Sequence, residues 1–380
     1  MKILHICLAG AFTENLTYQE NFLVDINAED GHDVVVIADC THFTNGLIVP
    51  SLPENKVMAS GARLVRIPAD RVLGKKITEK IRKFKRLCPL IQQFAPDVIL
   101  HHGIQAHSLI TAAKYKRNHP HVKLYADNHA EASNSARNWI SLNIQHRMVY
   151  NHWIRKSLPY IEKILCISPE CKGFVRDVYG IDPAMLEDFP LGGTVLGQNE
   201  ISGARVTARR KHGIPDGAIM FLHAGKLDQE KKTLELMDVF GGISDERFCM
   251  VIAGSVSEDI RAGFEERASS DKRIIYLDWV SGEELITLYC ACDLYVQPGK
   301  VSVNAQNAIC CGAPVLLAGH EIYKAIVDGN GWLIESIEQM DGIFRQISGE
   351  PSILAPMREA SHKIAKEKLD YRKIAARLYE

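Results

Sequence analysis

FLHAGKLDQEKKTLELMDVF (221–240), FCMVIAGS (248–255), RIIYLDWVSGEELITLYCACDLYVQPG (273–299) and VSVNAQNAICCGAPVLL (301–317) follow one another along the chain. Each opens or closes on a short apolar run of strand character, and amphipathic helical patterns lie between the runs. The alternation predicts an α/β domain with a parallel sheet. In the first segment a run over 219–224 is broken by Gly225. Lys226 and Lys231 then frame an acidic loop ahead of a helical pattern through Leu234, Met237 and Phe240. A strand, a glycine turn and a helix start gather free backbone N–H groups at one point, which favours phosphate. Two ammonium groups there would neutralise a diphosphate as point charges and need no divalent metal. Taken alone, the segment is equally a solvated loop with surface lysines.

The remainder of this half adds polar groups at the matching ends of later strands. Ser302 and the backbone through Val303 precede a helical pattern, so a hydroxyl and N–H groups there either receive phosphate or cap that helix. Gln306 and Asn307 follow, with amides able both to donate and to accept. Asp278 stands at the end of the apolar run before Trp279.

The amino-terminal half reads in the same way. A strand over 3–8, a loop at Gly10, a helical stretch over 18–29 and a strand over 34–38 form a βαβ unit, with further strands at 63–67, 97–101, 122–127 and 164–167. Both halves are expected to be doubly wound sheets of Rossmann type, with ligands at the carboxyl ends of the strands in a cleft between them. Periodicity lapses around 188–193, which sets a first domain at 1–190 and a second at 191–356. The loop 8–12 carries one glycine where a dinucleotide fingerprint needs three, which argues against an oxidoreductase.

Eleven of the fifteen histidines precede residue 191. His101 and His102 end one strand run, and His129 and Glu131 follow another, so each stands where a cleft would be lined. Their spacing lacks a helical His pair with a glutamate, so no metal site is expected. Lys75, Lys76, Lys80, Arg82, Lys83, Lys85 and Arg86 make the most basic stretch. Within it Ile77, Ile81, Phe84, Cys88 and Ile91 share one helical face, predicting an amphipathic helix that packs on the sheet and offers its lysines to an anionic membrane. The segment 133–157, with Trp139 and Trp153, borders an acceptor groove or fills the core.

At 380 residues and a net charge of −1, the chain lacks the basic excess of a nucleic-acid binder. Ten cysteines without a secretory leader predict reduced thiols in a cytoplasmic protein, Cys290, Cys292, Cys310 and Cys311 packing in the core rather than holding metal. No apolar run reaches the length of a spanning helix, so membrane contact is expected to be peripheral.

Taken in order, Gly225-Lys226-Leu227 with Lys231, Val251-Ile252-Ala253-Gly254, Tyr276-Leu277-Asp278-Trp279-Val280, the run 293–298 and Asn307-Ala308-Ile309-Cys310-Cys311-Gly312-Ala313-Pro314-Val315 resemble the retaining glycosyltransferases of family 4. The resemblance implies a GT-B fold and transfer of a sugar from a nucleoside-diphosphate donor, a UDP-sugar by preference, to a glycan or lipid-linked acceptor in cell-surface polysaccharide synthesis. No cofactor is implied beyond that donor. It also implies that Lys226 and Lys231 bind the leaving diphosphate beside Gly225, that His129 meets the transferred sugar, that the Gly10 loop approaches the donor, and that the tail 357–380 crosses back to the first domain. Glu131, His101 and Asp278 are secondary site candidates. The family pattern places two glutamates where Gly299 and Asn307 stand here. Asn307 or Gln306 can replace one of them at the donor ribose, but Gly299 offers only backbone. That loss keeps open a catalytically degenerate scaffold acting as a partner subunit, beside a sugar-nucleotide epimerase.

Overall fold

A computed structural model describes residues 1–16, 18–44, 47–70 and 81–380. These form two units: Met1–Pro190 with Tyr371–Glu380, and Leu191–Asp370. The return to the first unit therefore starts at Tyr371, and residues 357–370 stay with the second.

The first unit is built on β1 (Lys2–Cys7), β2 (Asp33–Asp39), a hairpin of β3 (Thr41–Thr44) and β4 (Leu47–Pro50), β5 (Asn55–Val57), β6 (Arg63–Ile67), β7 (Val98–His101), β8 (Lys123–Asn128), β9 (Lys163–Cys166) and β10 (Leu186–Asp188). Its main sheet runs β10-β9-β8-β7-β1-β2-β6-β5. All neighbours in it are parallel except β5 against β6. Both faces are covered, as alternation along β1 requires. Leu4 and Ile6 join one apolar cluster while Ile3 and Cys7 join the other. Near the end of the chain Tyr371 stacks on Phe22 at 4.7 Å, and Arg372 pairs with Glu29 at 2.7 Å.

The second unit is a six-stranded parallel sheet in the order β13-β12-β11-β14-β15-β16. Its strands are β11 (Ile219–Ala224), β12 (Phe248–Ala253), β13 (Ile274–Tyr276), β14 (Leu294–Gln297), β15 (Val315–Ala318) and β16 (Gly331–Ile334). Cys290, Cys292, Cys310 and Cys311 are free thiols in its core, as expected from their apolar surroundings.

In each sheet the strand order reverses once, between β1 and β7 and between β11 and β14. A crevice opens at such a reversal because the connections leave in opposite directions, and ligands of open α/β sheets bind there.

One prediction fails locally. The expected helix through Ile81, Phe84, Cys88 and Ile91 is interrupted, because Arg82 takes a left-handed conformation at φ +50° and the regular helix spans only Leu87–Phe94. Asp70 holds the break open by accepting the Lys85 N–H at 2.8 Å and giving its own N–H to the Lys83 carbonyl. Lys75, Lys76, Ile77 and Lys80 lie outside the described residues.

Candidate functional site

The reversal in the first unit holds a cavity of about 310 Å³. Its walls are Gly10 and Phe12 from the loop after β1, His102, Gly103 and Gln105 from the loop after β7, Asp127 and His129 at the end of β8, and Glu20 from the first turn of helix Gln19–Glu29. A Cβ added at Gly10 would meet nothing within 4 Å, so this side of the wall faces open space.

Asp127 organises the cavity floor from a fully buried position. One carboxylate oxygen accepts the Gly103 N–H at 2.6 Å, and the other lies 2.6 Å from His102 Nδ1. His129 Nε2 stands 3.7 Å from the first oxygen, its side chain 41% exposed to the cavity. Burial opposes a charge on Asp127, yet the two imidazoles outweigh it and hold the carboxyl far below its usual range. Burial likewise pulls the His129 pKa down, and the Asp127 carboxylate more than offsets that, raising it. The loop bearing His129 is fixed by Asn128, whose amide nitrogen donates to the carbonyls of Ala130 at 2.9 Å and Cys171 at 3.3 Å.

Of the other expected residues, His101 turns into the interior. Its ring meets Ser108 Oγ at 2.8 Å and the Gly103 carbonyl at 3.0 Å, and burial lowers its pKa to about 4, so it braces the loop as a neutral ring. Glu131 accepts from Ser133 beside the loop and does not line the cavity. Sequence reasoning singled out His101 and passed over Asp127 and Glu20. The available signal was a carboxylate ending a buried strand two residues before His129.

In the second unit, Gly225 and Gly254 bring the loops after β11 and β12 into backbone contact. A Cβ on Gly254 would stand 1.8 Å from the Gly225 carbonyl oxygen. Lys226 then faces solvent. Asp228 closes the next turn by accepting the Lys231 N–H at 3.2 Å, which turns Lys231 inward. The Lys231 side chain is buried, with Nζ 3.4 Å from the Lys300 carbonyl oxygen, and burial lowers its pKa to about 8. Glu230 reports the local field. A hydrogen bond from Lys300 leads in lowering its pKa, and the charges of Lys226 and Lys231 add to it. Three lysines thus act on one point at the carboxyl end of β11.

Asn304 ties the loop after β14 to this point by donating from Nδ2 to the Ala224 carbonyl at 3.0 Å. Ser302 lies near the end of that loop, but its backbone N–H goes to the Tyr323 hydroxyl at 2.8 Å rather than standing available. Val303 caps helix Asn304–Cys310 and is exposed. Gln306, with its amide nitrogen turned toward the carbonyls of Ser302 (3.1 Å) and Val303 (3.3 Å), is buried in the first turn of that helix, while Asn307 is half-buried beside it. Asp278 takes φ +50°, accepts the Gly254 N–H on its carbonyl at 2.6 Å and receives the Tyr276 hydroxyl at 3.1 Å. Among the described residues no group of three or more His, Cys, Asp or Glu is arranged to hold a metal ion.

Residues 27–192 match the family profile described as Glycosyltransferase Family 4, and residues 205–349 match Glycosyl transferases group 1. An alpha-galactosylglucosyldiacylglycerol synthase of Streptococcus pneumoniae (strain ATCC BAA-255 / R6) is 24% identical over 172 residues, 43% of this chain and 45% of that protein. The match thus spans less than half of that relative. Among solved structures, Anabaena HepE in complex with UDP aligns over 99% of this chain and 98% of its own at TM-score 0.67 and 15% identity. Sucrose-phosphate synthase from Thermosynechococcus elongatus aligns over 99% and 96% at TM-score 0.68 and 14% identity. WaaG, a glycosyltransferase involved in lipopolysaccharide biosynthesis, aligns over 99% of both chains at 0.63 and 14%. At such identities these neighbours speak to the fold alone.

Proposed function

The chain belongs to the family 4, group 1 type of glycosyltransferases built on the GT-B fold, and from that premise we propose that it transfers a sugar from a nucleoside-diphosphate donor, a UDP-sugar by preference, to a lipid-linked or glycan acceptor with retention of configuration. The observation that carries this reading is the buried Lys231 beyond the carboxyl end of β11, its ammonium 3.4 Å from the Lys300 carbonyl oxygen, with Lys226 exposed on the glycine turn five residues before it. Negative charge develops on the leaving diphosphate as the glycosidic bond lengthens, and preorganised cations there lower the barrier. Ammonium groups supply that charge in this reading, with no cofactor beyond the donor. His129, drawn toward the charged form by Asp127, is the group in the first unit suited to hydrogen-bond a sugar hydroxyl or an anion.

A lipid acceptor, with the protein held peripherally on a membrane in polysaccharide or glycolipid synthesis, is supported by the name of the pneumococcal relative and by an exposed apolar surface. Among the described residues no helix is long and apolar enough to cross a membrane. Around Ser141–Tyr150, however, Trp139, Ile140, Ile144 and Met148 are all exposed, and Arg137 and Arg147 flank them. Such a stripe suits the headgroup boundary of an anionic bilayer.

One observation favours the second reading, a scaffold without turnover: no carboxylate stands at position 299 or 307. Incubating the full chain with UDP-, GDP- and ADP-sugars, with and without diacylglycerol glycolipid, tests both. Release of UDP with formation of an α-linked product from an α-linked donor supports transfer. Absence of nucleotide release from every donor supports the scaffold, and isomerised donor without free nucleotide supports an epimerase.

A further inference from the structure

Behind His129 lies a continuous row of polar groups through the core of the first unit. Asn27 Nδ2 stands 2.9 Å from His5 Nε2, His5 Nδ1 stands 3.0 Å from His102 Nε2, and His102 Nδ1 stands 2.6 Å from Asp127 Oδ2. The His5 and His102 rings are stacked at 5.3 Å and 14°. Asn27, His5 and Asp127 are fully buried, and the side-chain oxygen Oδ1 of Asn27 has no partner.

We propose that His102, through the Asp127 carboxylate that it shares with His129, positions His129 at the cavity and sets the charge it carries there, with His5 and Asn27 as the buried end of the same array. The inference deepens the reading of that cavity as part of a glycosyl-transfer site. None of these groups but His129 needs to touch substrate, so His102, His5 and Asn27 are positioning residues.

Two proton arrangements fit the distances: Asn27, His5 and His102 each donating one step along the row with both rings neutral, or a charged His102 that reverses the order on its far side, and the proposal takes the second. Asp127 is acceptor-only when ionised, so His102 donates from Nδ1. Once His102 also carries a proton on Nε2, His5 must accept at Nδ1 and hold its own proton on Nε2. That proton needs an acceptor, and a half-turn of the Asn27 amide brings the unpartnered oxygen to it. The buried row then contains one imidazolium, one carboxylate and one neutral ring, an arrangement in which the pair compensates its own charge. Burial lowers the His5 pKa and keeps that ring neutral. For His102, burial works against the charge, and the Asp127 carboxylate in contact at 2.6 Å works for it and raises its pKa above the usual imidazole range; burial keeps the Cys7 thiol protonated, so it brings no charge of its own.

His129 feels both partners. Asp127 raises its pKa, Glu20 adds to the rise, and His102 works against it. His5 and Cys7 from β1, Glu20 from helix Gln19–Glu29, His101 from β7, His102 from the following loop and Asp127 from β8 are the titratable groups that face the array. A buried cation on one side of a shared carboxylate therefore limits how strongly the exposed imidazole on the other side is charged.

Histidine-detected ¹⁵N NMR titration of the ligand-free full chain tests this, comparing wild type with H102Q and D127N. H102Q keeps a donor toward Asp127 but cannot carry charge, so the His129 midpoint should rise by about half a pH unit or more, and in D127N it should fall by at least as much. Wild type should also show His5 as a neutral ring protonated on Nε2 and His102 doubly protonated near pH 6. An unmoved His129 midpoint in H102Q overturns the proposal. So does a neutral, single-tautomer His102 in wild type, a measurement that stands even if a variant fails to fold. Because no donor is present, a protein that proves inactive in transfer but titrates as stated would fail the functional reading and leave the array intact.

Discussion

Gly299 lies so close to Glu230 that a Cβ built on it would stand 2.2 Å from the Glu230 carbonyl oxygen and 2.6 Å from the Lys231 carbonyl carbon. The position where the family pattern has a glutamate is thus closed by the backbone of the lysine loop. The contact is reinforced by the Lys300 N–H, which donates to the same Glu230 oxygen at 2.9 Å. Gly299 and the backbone of Glu230 and Lys231 thus pack directly against each other, with no room for a side chain between them.

Restoring the family residue should therefore disrupt rather than rescue. G299E has to push backbone aside, since no flexible side-chain end is available to yield. The expected cost is about 1–3 kcal/mol in denaturant unfolding, with donor turnover no higher than in wild type. A stable G299E with raised turnover would show that the loop after β14 has room the geometry denies it.

Lys231 predicts a pH dependence. Its folded pKa of about 8 lies below the ordinary lysine value, so the ammonium is lost as pH rises through about 8. Donor binding that uses this charge should weaken above that pH, while K231M should lower turnover by about a hundredfold and remove the alkaline limb. Folding stability runs the other way. The unfolded chain retains the proton between about 8 and the ordinary lysine value, so the contribution of Lys231 rises with pH across that window. Nucleotide titrations and unfolding curves at pH 7 and 9.5 check the two directions; equal donor affinity at both would remove Lys231 from the site.

Both sheets were legible in the sequence because buried parallel strands write near-continuous apolar runs, and 63–67 is recovered to the residue. The hairpin of β3 and β4 was not, since Leu47 and Ile48 are exposed and leave no burial pattern to read. Trp153 is core while Trp139 is 70% exposed, a division that periodicity alone could not make. Among the candidate site residues, strand ends pointed to His129 and the glycine turn to Lys231. Asp127 and the row behind it include neighbours 97 positions apart, His5 and His102, and only the register of β1, β7 and β8 brings them together.

Gly10 separates a structural from a binding role in the first cavity. Its backbone needs no left-handed conformation, and an added Cβ would project into space free of protein atoms. G10A should unfold within about 0.5 kcal/mol of wild type. If the donor approaches this loop, the Michaelis constant for donor should rise several-fold. Unchanged kinetics with unchanged stability would take Gly10 out of the binding wall.

Trp139, Ile140, Ile144 and Met148 recur on the outer face of the segment around Ser141–Tyr150, whose inner face is pinned where His146 Nδ1 meets the Tyr179 hydroxyl at 2.7 Å. The helix is therefore anchored by its polar inner contacts and does not need its outer apolar residues to fold. Replacing Trp139, Ile140 and Met148 together by serine should leave the unfolding midpoint near that of wild type. Partitioning onto vesicles containing anionic lipid should fall by about a thousandfold or more, because each apolar side chain fully buried there contributes about 1.5–3 kcal/mol. Added salt should weaken what remains, through Arg137 and Arg147, by screening. If wild type fails to float with anionic vesicles, the membrane role of this face is refuted; if the triple variant floats as well as wild type, the contact lies elsewhere on the chain.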